Sequence, residues 1–358
     1  MPDVLLFGAT GYTGRLTAHA LAKRGASFVV AGRNAAKLDA LAAETGAADA
    51  RVAAVGDVDT LVDALADVRV MITCVGPFLQ LGDTAVEAAL RARVHYVDST
   101  GEGPFIRRLM DEHHDAAVQA GIAMAPAMGF DEVPGDVVAT LAAADLDRPR
   151  VDLTYSVPST PSGGTLRSSL DIVTSAARWT EDGMPRDVRA GRHERWAPMP
   201  PPLGPRRGAS FPLAIGHIAP RHLDLEAFRT YATVGSWQRI GLKGLVPSLR
   251  AALAVPGGRA LIERAIARLP EGPDDHERAR KFTILGEAVA GARWRNVAIT
   301  GSDVYGLTAE LLAATSLRMS EDGYDVSGVV APVQAVELEL LRSELEKQGC
   351  DLTTWQSP

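Results

Sequence analysis

The sequence predicts an α/β protein with a doubly wound parallel sheet, followed by a second α/β (α+β) domain. Three observations support this prediction. An apolar run, Val4–Phe7, leads directly into a glycine-rich turn at Gly8–Gly14. Apolar strands and amphipathic helices then alternate as far as Ala125, which is typical of a parallel sheet covered by helices on both faces. Beyond Asp147 the pattern changes, because Val151–Val157 alternates in polarity like a strand with one exposed face.

The turn after the first strand has the spacing that holds the pyrophosphate of a dinucleotide. Glycines allow the tight turn, and backbone N–H groups at the start of the next helix face the phosphates. The alternative is a plain strand-to-helix turn. We expect a Rossmann-type domain here and predict that six residues of the turn contact the cofactor: Gly8, Thr10, Gly11, Tyr12, Thr13 and Gly14.

The end of the second strand indicates which dinucleotide is bound. Ser27–Ala31 is followed by Gly32, Arg33 and Asn34, and no carboxylate occurs before Asp39. NAD enzymes place an acid against the ribose 2′-hydroxyl at this point, whereas a guanidinium suits the 2′-phosphate of NADP. We therefore predict NADP(H), bound by Arg33 and Asn34, with added charge from Lys37. The alternative is that Arg33 is a solvated surface residue.

The composition limits the class of protein. With 358 residues, two domains are the natural expectation, and 46% hydrophobic residues supply a core for each. A net charge of −7 argues against a general nucleic-acid binder. Two cysteines, Cys74 and Cys350, support neither a disulfide framework nor a zinc site. No leader segment or membrane-spanning apolar run is visible, so we expect a cytoplasmic protein with no stable membrane insertion.

Helical and strand patterns alternate through the predicted first domain. The predicted helices run from Asn34 to Glu44, from near Asp57, from Asp83 to Arg93 with Asp83 as the cap, and from Pro104 to Ala120. The predicted strands are Arg51–Val55, Val68–Val75, His95–Asp98 and Ile122–Ala125.

Three strand ends should border the ligand crevice, because ligands bind at the carboxyl ends of parallel strands. After the fourth strand we predict a cofactor wall from Cys74, Val75, Gly76 and Pro77; the alternative is a strand-ending turn. Two later ends, around Thr100-Gly101-Glu102 and Gly129-Phe130-Asp131, should lie near the nicotinamide, with Thr100 and Gly101 close to the cofactor. Glu102 either lines the crevice or caps the following helix.

We place the nucleotide-binding domain at residues 1–130 and the second, substrate and dimerisation domain at 131–330, with a C-terminal segment, 331–350, that packs back on the first. The second domain should contain an irregular, Pro/Arg-rich segment at 185–207. Its predicted strands are Val151–Val157, Tyr231–Val234, Phe282–Val289 and Trp294–Thr300. The predicted helices after residue 150 are Thr165–Trp179, Ser236–Leu253, Arg259–Leu269, Val304–Leu317 and Val333–Gln348.

The catalytic Tyr-x-x-x-Lys of short-chain dehydrogenases is absent, because none of the six tyrosines has a lysine four residues later. The chain instead resembles the saccharopine dehydrogenase-like family, and more closely its trans-acting enoyl reductase branch. The motifs that carry this resemblance are Gly8–Gly14, Ala31–Asn34, Val75–Phe78, Tyr96–Asp98, Thr100–Glu102, Gly129–Asp131, Val133-Pro134, Pro270–Pro273 and Tyr305–Ala309. The resemblance implies an NADP-binding Rossmann domain joined to an α/β substrate domain, often dimeric through the latter.

The family includes reductases of enoyl chains held by polyketide synthases and saccharopine reductases that act on a C=N bond. A saccharopine-type site would need clustered cations for its carboxylates, and Val151–Val157 and Phe282–Val289 carry none. We therefore favour NADPH-dependent reduction of an enoyl C=C bond in a small-molecule or carrier-bound acyl substrate. The alternatives are a C=N reductase, a non-catalytic NADPH-binding protein, and a synthase that recycles its nucleotide.

Tyr305, Asp131 and Tyr155 are the candidate proton donors, because a phenol or a desolvated carboxyl at a strand end or helix start can protonate a reduced substrate. Tyr305 could equally be a packing residue at a helix start. No histidine has metal-ligand spacing, and we expect His113, His114, His217 and His222 at the surface.

Six arginines stand out in the Pro/Arg-rich segment of an otherwise acidic protein. They face only two carboxylates in the segment, Asp187 and Glu194. Such a patch could meet an acidic carrier protein or a phosphopantetheine phosphate; the alternative is a solvated loop. The six are Arg186, Arg189, Arg192, Arg195, Arg206 and Arg207.

Overall fold

The computed structural model describes residues 2–157, 166, 170, 175–233, 248, 251–253, 255–266 and 272–357. Contacts divide the chain into two compact units. The first comprises Met1–Val133 and Val304–Leu345, and the second comprises Pro134–Asp303 and Glu346–Pro358. Each unit contains one sheet, and strands and helices are numbered below in chain order.

The first unit is built on a seven-stranded sheet in which every pairing is parallel. Its order, β15-β6-β5-β4-β1-β2-β3, reverses direction at β1, as in a doubly wound nucleotide-binding sheet. The strands are β1 Val4–Phe7, β2 Phe28–Gly32, β3 Asp49–Val52, β4 Val70–Thr73, β5 His95–Asp98, β6 Ala123–Ala125 and β15 Gly328–Val329. The predicted fold class is therefore confirmed, since the central strands β1, β2 and β4 are fully buried apolar runs.

Helices follow the strands of this sheet, and two predicted details are wrong. Asp83 is the first residue of its helix and not the cap, because Gly82 precedes it there. The segment predicted as one helix over Pro104–Ala120 is two helices separated by the π-helical turn Leu109–His113. The helices are α1 Tyr12–Lys23, α2 Ala35–Thr45, α3 Val58–Ala64, α4 Phe78–Leu81, α5 Asp83–Ala92, α6 Gly103–Arg108 and α7 His114–Ala120.

The C-terminal part of the chain departs from the predicted division at residue 330. The helix Val304–Met319 lies in the first unit, where it packs against α1, β4 and β5. One predicted C-terminal helix is two, Pro332–Ala335 and Leu338–Lys347, and the unpredicted strand Asp351–Gln356 returns to the second unit. The reason is long-range packing, since the buried face of Val304–Met319 has its partners some 290 residues earlier in the chain.

The second unit contains a mixed nine-stranded sheet. Its main path is β10-β11-β12-β7-β13-β14-β16, with β8 paired to β12 and β9. Only the β7–β12 pairing is parallel. The strands are β7 Arg150–Ser156, β8 Ala176–Glu181, β9 Met184–Arg189, β10 Glu194–Ala197, β11 Arg206–Ser210, β12 Ala227–Thr233, β13 Phe282–Ala290, β14 Arg293–Gly301 and β16 Asp351–Gln356.

The segment predicted to be irregular forms strands β9, β10 and β11, and the end of the helix predicted over Thr165–Trp179 lies in β8. The sequence does not predict these strands because they contain charged residues, Pro185 and Gly208 with no regular alternation of polarity, so that they depend on pairing with other strands. Most of the helix predicted over Ser236–Leu253, and the motif residues Pro270 and Glu271, lie outside the described residues. The remaining helices are α8 Val133–Ala143, α9 Ile215–Ile218, α10 Gly258–Ile266, α11 Asp275–Arg278, α12 Val304–Met319, α13 Pro332–Ala335 and α14 Leu338–Lys347.

The sheet of the second unit packs closely on α8. A Cβ placed on Gly135 would overlap the Tyr155 hydroxyl and lie 3.0 Å from its Cζ, and a Cβ on Gly286 would lie 2.7 Å from Val138 Cγ1. Glycines are therefore required where helix and sheet meet. No helix among the described residues is both long and apolar enough to cross a bilayer.

We expect the Arg24→Met variant to lose roughly 3 kcal/mol of unfolding free energy, because it removes the guanidinium that two largely buried carboxylates share and leaves Glu310 with only the exposed Lys23. Arg24 contacts Glu310 of α12 at 2.8 Å and Glu344 of α14 at 2.5 Å, and the Glu344 side chain is only 5% exposed. Urea unfolding measures the loss. The matched control is Arg91→Met, whose pair with Asp59 is exposed and whose removal should cost less than about 1 kcal/mol. Equal losses in the two variants would contradict the bracing role of Arg24.

Candidate active site

The glycine turn has the geometry of a dinucleotide-binding turn. Gly8 has φ +80°, and a Cβ there would lie 2.7 Å from Val75 Cγ2 at the end of β4. A Cβ on Gly14 would lie 2.8 Å from the Ala9 carbonyl oxygen, so α1 approaches β1 as closely as backbone allows. Gly11 is the N-cap of α1 and leaves that helix without a side-chain cap. The first-turn N–H groups of α1 are thus not taken by a capping side chain, which suits an anion.

The turn lies beside the end of β4, at the reversal point of the sheet. Cys74 N–H donates to the Phe7 carbonyl at 2.9 Å, which fixes the two strand ends to each other. Gly76 is exposed, Val75 is partly buried and Pro77 is buried as the N-cap of α4. Burial raises the pKa of the Cys74 thiol to about 12, so it stays neutral. The predicted wall and the predicted turn therefore border one crevice.

The cationic group at the end of β2 is exposed. Arg33 and Lys37 are solvent-accessible, and neither forms an ion pair within the part of the chain that the structure describes. Asn34 Oδ1 accepts from Lys37 N–H at 3.0 Å, so this side chain serves as the cap of α2. Asn34 caps the helix that carries Lys37. Its contact with the cofactor stays a prediction.

Asp98 organises the next two strand ends, a role that sequence analysis missed. Its Oδ1 accepts from Thr100 N–H and Ala127 N–H, both at 2.8 Å, and its Oδ2 accepts from the Tyr96 hydroxyl at 2.6 Å. Burial raises the pKa of Asp98 to about 6. The hydrogen bond that the Asp98 side chain accepts from Thr100 N–H forms an Asx turn. An Asp directly after a strand is a local pattern from which this turn could have been predicted.

Glu102 is the N-cap residue of α6, as one of its two predicted roles required, but its side chain does not cap that helix. The carboxylate is buried and accepts from the N–H groups of Phe78 at 2.8 Å and Leu79 at 2.9 Å. It therefore caps α4, not the helix that follows it in sequence, and it does not line the crevice as a free acid. Thr100 Oγ1 accepts from Glu102 N–H at 3.1 Å, so Thr100 is also part of this bracing.

Asp131 is the candidate proton donor that remains accessible to solvent. Its Oδ2 would lie 3.0 Å from a Cβ on Gly101, which places the ends of β5 and β6 against each other. Although water reaches it, surrounding protein desolvates the carboxyl and raises its pKa to about 6. An accessible carboxyl with a pKa of about 6 keeps a protonated fraction just below neutral pH, which suits proton donation.

Tyr305 lies beside the glycine turn. Its side chain is 8% exposed, and its ring meets that of Tyr12 edge to face, with centroids 5.2 Å apart. On the same helix, α12, Thr308 Oγ1 accepts from Phe130 N–H at 3.0 Å. The first turn of α12 therefore contacts both the glycine turn and the loop that carries Asp131.

Tyr155 belongs to the second unit. It is 3% exposed and packs its phenol against Gly135 in the core of that unit. Its role as a proton donor stays a prediction. His222 is not the surface residue that was predicted, because its Nε2 lies 2.7 Å from Asp136 Oδ1 and both side chains are buried.

The first unit matches a known domain family. Residues 4–124 match the family model of the saccharopine dehydrogenase NADP binding domain. This chain is an NADP-dependent oxidoreductase, and the matched part of its first unit is similar to the NADP binding domain of saccharopine dehydrogenase. The resemblance seen in the sequence and the predicted cofactor, NADP(H), are confirmed by this match.

Relatives extend the similarity beyond the first unit of this oxidoreductase. A trans-acting enoyl reductase of Mycobacterium leprae is 27% identical over 98% of this chain and 97% of its own. A trans-acting enoyl reductase of Mycobacterium tuberculosis is 34% identical over 38% of this chain and 34% of its own. Saccharopine dehydrogenase (L-Glu forming) of Saccharomyces cerevisiae superposes with a TM-score of 0.64 at 16% identity and full coverage of both chains, which shows a shared fold.

We expect Arg33→Ala to raise the Kd for NADPH by about tenfold to a hundredfold, because a charge-assisted contact with the 2′-phosphate is lost. Lys37→Ala should have a smaller effect, since an ammonium offers no bidentate contact. The Kd for NADH, measured by the same fluorescence titration, should not change. Arg264→Ala, which removes another exposed arginine, is the control. A parallel loss of NADH binding would show that Arg33 supports the fold and does not select the phosphate.

Proposed function

We propose that this oxidoreductase reduces the C=C bond of an enoyl thioester carried on an acidic carrier protein, with NADPH as the hydride source. The names of two relatives support this proposal, since both are enoyl reductases that act in trans. Two features of the chain add to it: the pairing of the second unit's arginines, and the position of Asp131.

The observation that carries the choice of substrate is the pairing of arginines on the sheet of the second unit. Arg195 of β10 contacts Asp152 of β7 at 3.0 Å and Glu287 of β13 at 2.6 Å. Arg229 of β12 forms two parallel bonds to Glu181, at 2.7 and 2.9 Å. These guanidiniums are therefore committed to carboxylates of the protein itself.

Two arginines on the neighbouring strands β11 and β14 are also bound to groups of the protein itself. Arg207 of β11 contacts Glu194 at 3.1 Å, and Arg295 of β14 bonds to the Leu141 and Ala144 carbonyls. A saccharopine-type adduct carries several carboxylates and would need cations that are not already neutralised. The cations on the central strands β7 and β12, and Arg195 that reaches them, are thus already paired, which favours an uncharged acyl chain instead.

Different residues of the first unit would bind the cofactor and supply the proton. The turn at Gly8–Gly14 would hold the pyrophosphate, and Arg33 with Lys37 would hold the 2′-phosphate. NADPH, when bound there, supplies the hydride that the β-carbon of the enoyl group receives. We assign to Asp131 the proton that the α-carbon takes up, so that a saturated thioester and NADP⁺ result. Tyr305 would position Tyr12 in the turn and serve as the second candidate acid.

We expect the enzyme to oxidise NADPH when mixed with a crotonyl thioester and not when mixed with an amino acid and an aldehyde. The paired arginines predict this preference, because on the central strands of the second unit's sheet they are already bound to the protein's own carboxylates. The loss of NADPH absorbance is followed by stopped flow, and the product is identified by mass spectrometry. If NADPH binds but neither substrate oxidises it, the proposed reaction is overturned. If only the imine formed from the amino acid and the aldehyde oxidises NADPH, the reaction is C=N reduction instead.

We expect Asp131→Asn to lower kcat for the crotonyl thioester by about 100-fold or more, which is typical of losing a general acid. In the wild type the carboxyl must be protonated to donate, so kcat should fall as the pH rises above about 6, its raised pKa. The variant should lose this dependence while its Kd for NADPH stays the same. Tyr305→Phe is the companion variant. If that variant flattens the pH profile and Asp131→Asn does not, the proton comes from the phenol.

A further inference from the structure

We propose that the β8–β9 hairpin and the turn after it form the docking surface for the acidic carrier protein, an inference that rests on the proposed function. The surface is defined by three arginines, Arg186 and Arg189 of β9 and Arg192 of the turn, and is called the basic hairpin patch. All three are exposed. None of them forms an ion pair with any residue that the structure describes.

The unpaired state of these three arginines contrasts with their neighbours. Arg178 contacts Asp187 at 2.8 Å across the hairpin, and Arg195 and Arg207 are paired as described above. Of the six arginines singled out in the sequence, two are therefore neutralised internally. The three of the patch keep their full charge at the surface. Residues 176–210 carry seven arginines against four carboxylates, although the whole chain has a net charge of −7.

The patch is an ordered part of the sheet and not a solvated loop. Ser210 Oγ of β11 donates to the Arg189 carbonyl at 2.9 Å, and Ser210 N–H donates to the His193 carbonyl at 2.8 Å. Val188, between the first two arginines, packs on a cluster that includes Trp179 and Tyr231. The backbone that carries the charges is thus held before a partner arrives, which reduces the entropic cost of binding.

The layout of the patch fits a protein surface better than a single small anion. Arg186 and Arg189 are three residues apart on one strand, so their side chains leave opposite faces of it. Within the described residues β9 pairs only with β8, so its outer edge is open. Met184 and Trp196, each 63% exposed, add apolar area on β9 and β10. Cations spread around an open edge with apolar side chains nearby match an extended acidic partner.

The test compares two substrates that carry the same acyl group. One is crotonyl-phosphopantetheine on a free-standing acidic acyl carrier protein, and the other is the crotonyl thioester of N-acetylcysteamine, which has no protein part. For the variant Arg186→Glu/Arg189→Glu/Arg192→Glu, kcat/KM for the carrier-bound substrate should fall about tenfold or more, because rim charges act mainly on association. The small thioester should react at the wild-type rate, which also shows that the variant is folded.

The control is Arg107→Glu/Arg264→Glu/Lys281→Glu, which makes the same change in net charge at exposed positions outside the hairpin. It should keep the wild-type kcat/KM for both substrates. Added salt should lower kcat/KM for the carrier-bound substrate in the wild type and have little effect in the hairpin variant. An unchanged rate in the hairpin variant, or an equal loss in the control, overturns the docking surface and leaves the enoyl reductase proposal standing. If the wild type reduces neither thioester, the proposed function itself fails.

Discussion

The close contact between helix α1 and the end of strand β1 is the constraint on which the rest of the first unit depends. Gly14 makes it possible, because any side chain there would enter the backbone of the turn. With the helix so placed, its N-terminus is held by Tyr12 against Tyr305, and its C-terminus by Arg24 against Glu310. Both partners lie on α12, some 290 residues further along the chain. A distant helix therefore braces both ends of α1, the helix that follows the glycine turn, which explains why that helix belongs to the first unit.

Buried carboxylates perform the same task on the other side of the sheet. Asp98 and Glu102 together accept four hydrogen bonds from backbone N–H groups and the Tyr96 hydroxyl accounts for a fifth. Each acid would be costly to bury alone, and these bonds offset that cost. Asp98 and Glu102 thus hold loops in place, whereas Asp131, after strand β6, stays accessible to solvent. A low-dielectric surrounding raises the pKa of Asp98 and Asp131 alike, so exposure to solvent, more than the pKa shift, separates a candidate reacting group from a structural one.

The parts of this structure that could be predicted from sequence are those determined by neighbouring residues. The glycine turn, the apolar strands and the strand His95–Asp98 follow from local backbone chemistry and were predicted at or near their observed positions. The strands β8 to β11, the capping of α4 by Glu102, and the burial of Tyr155 depend on partners far away in the chain, and no local pattern encodes them. For the arginines, the charge could be predicted from sequence but the pairing could not, because the carboxylates that neutralise Arg195 lie on β7 and β13.

The arginines of the second unit fall into two kinds, those paired with carboxylates and those exposed without an ion pair among the described residues, and the two kinds have different effects on a ligand. A guanidinium between two carboxylates in a half-buried sheet contributes specificity of structure and presents no net positive charge to a ligand. A guanidinium on an open strand edge keeps its long-range field and acts on partners before contact. Arg195 belongs to the first kind and Arg189 to the second, although they are six residues apart. An enzyme whose substrate reaches it on another protein needs both: an interior without competing cations for an acyl chain, and an exterior charge that attracts the protein that delivers it.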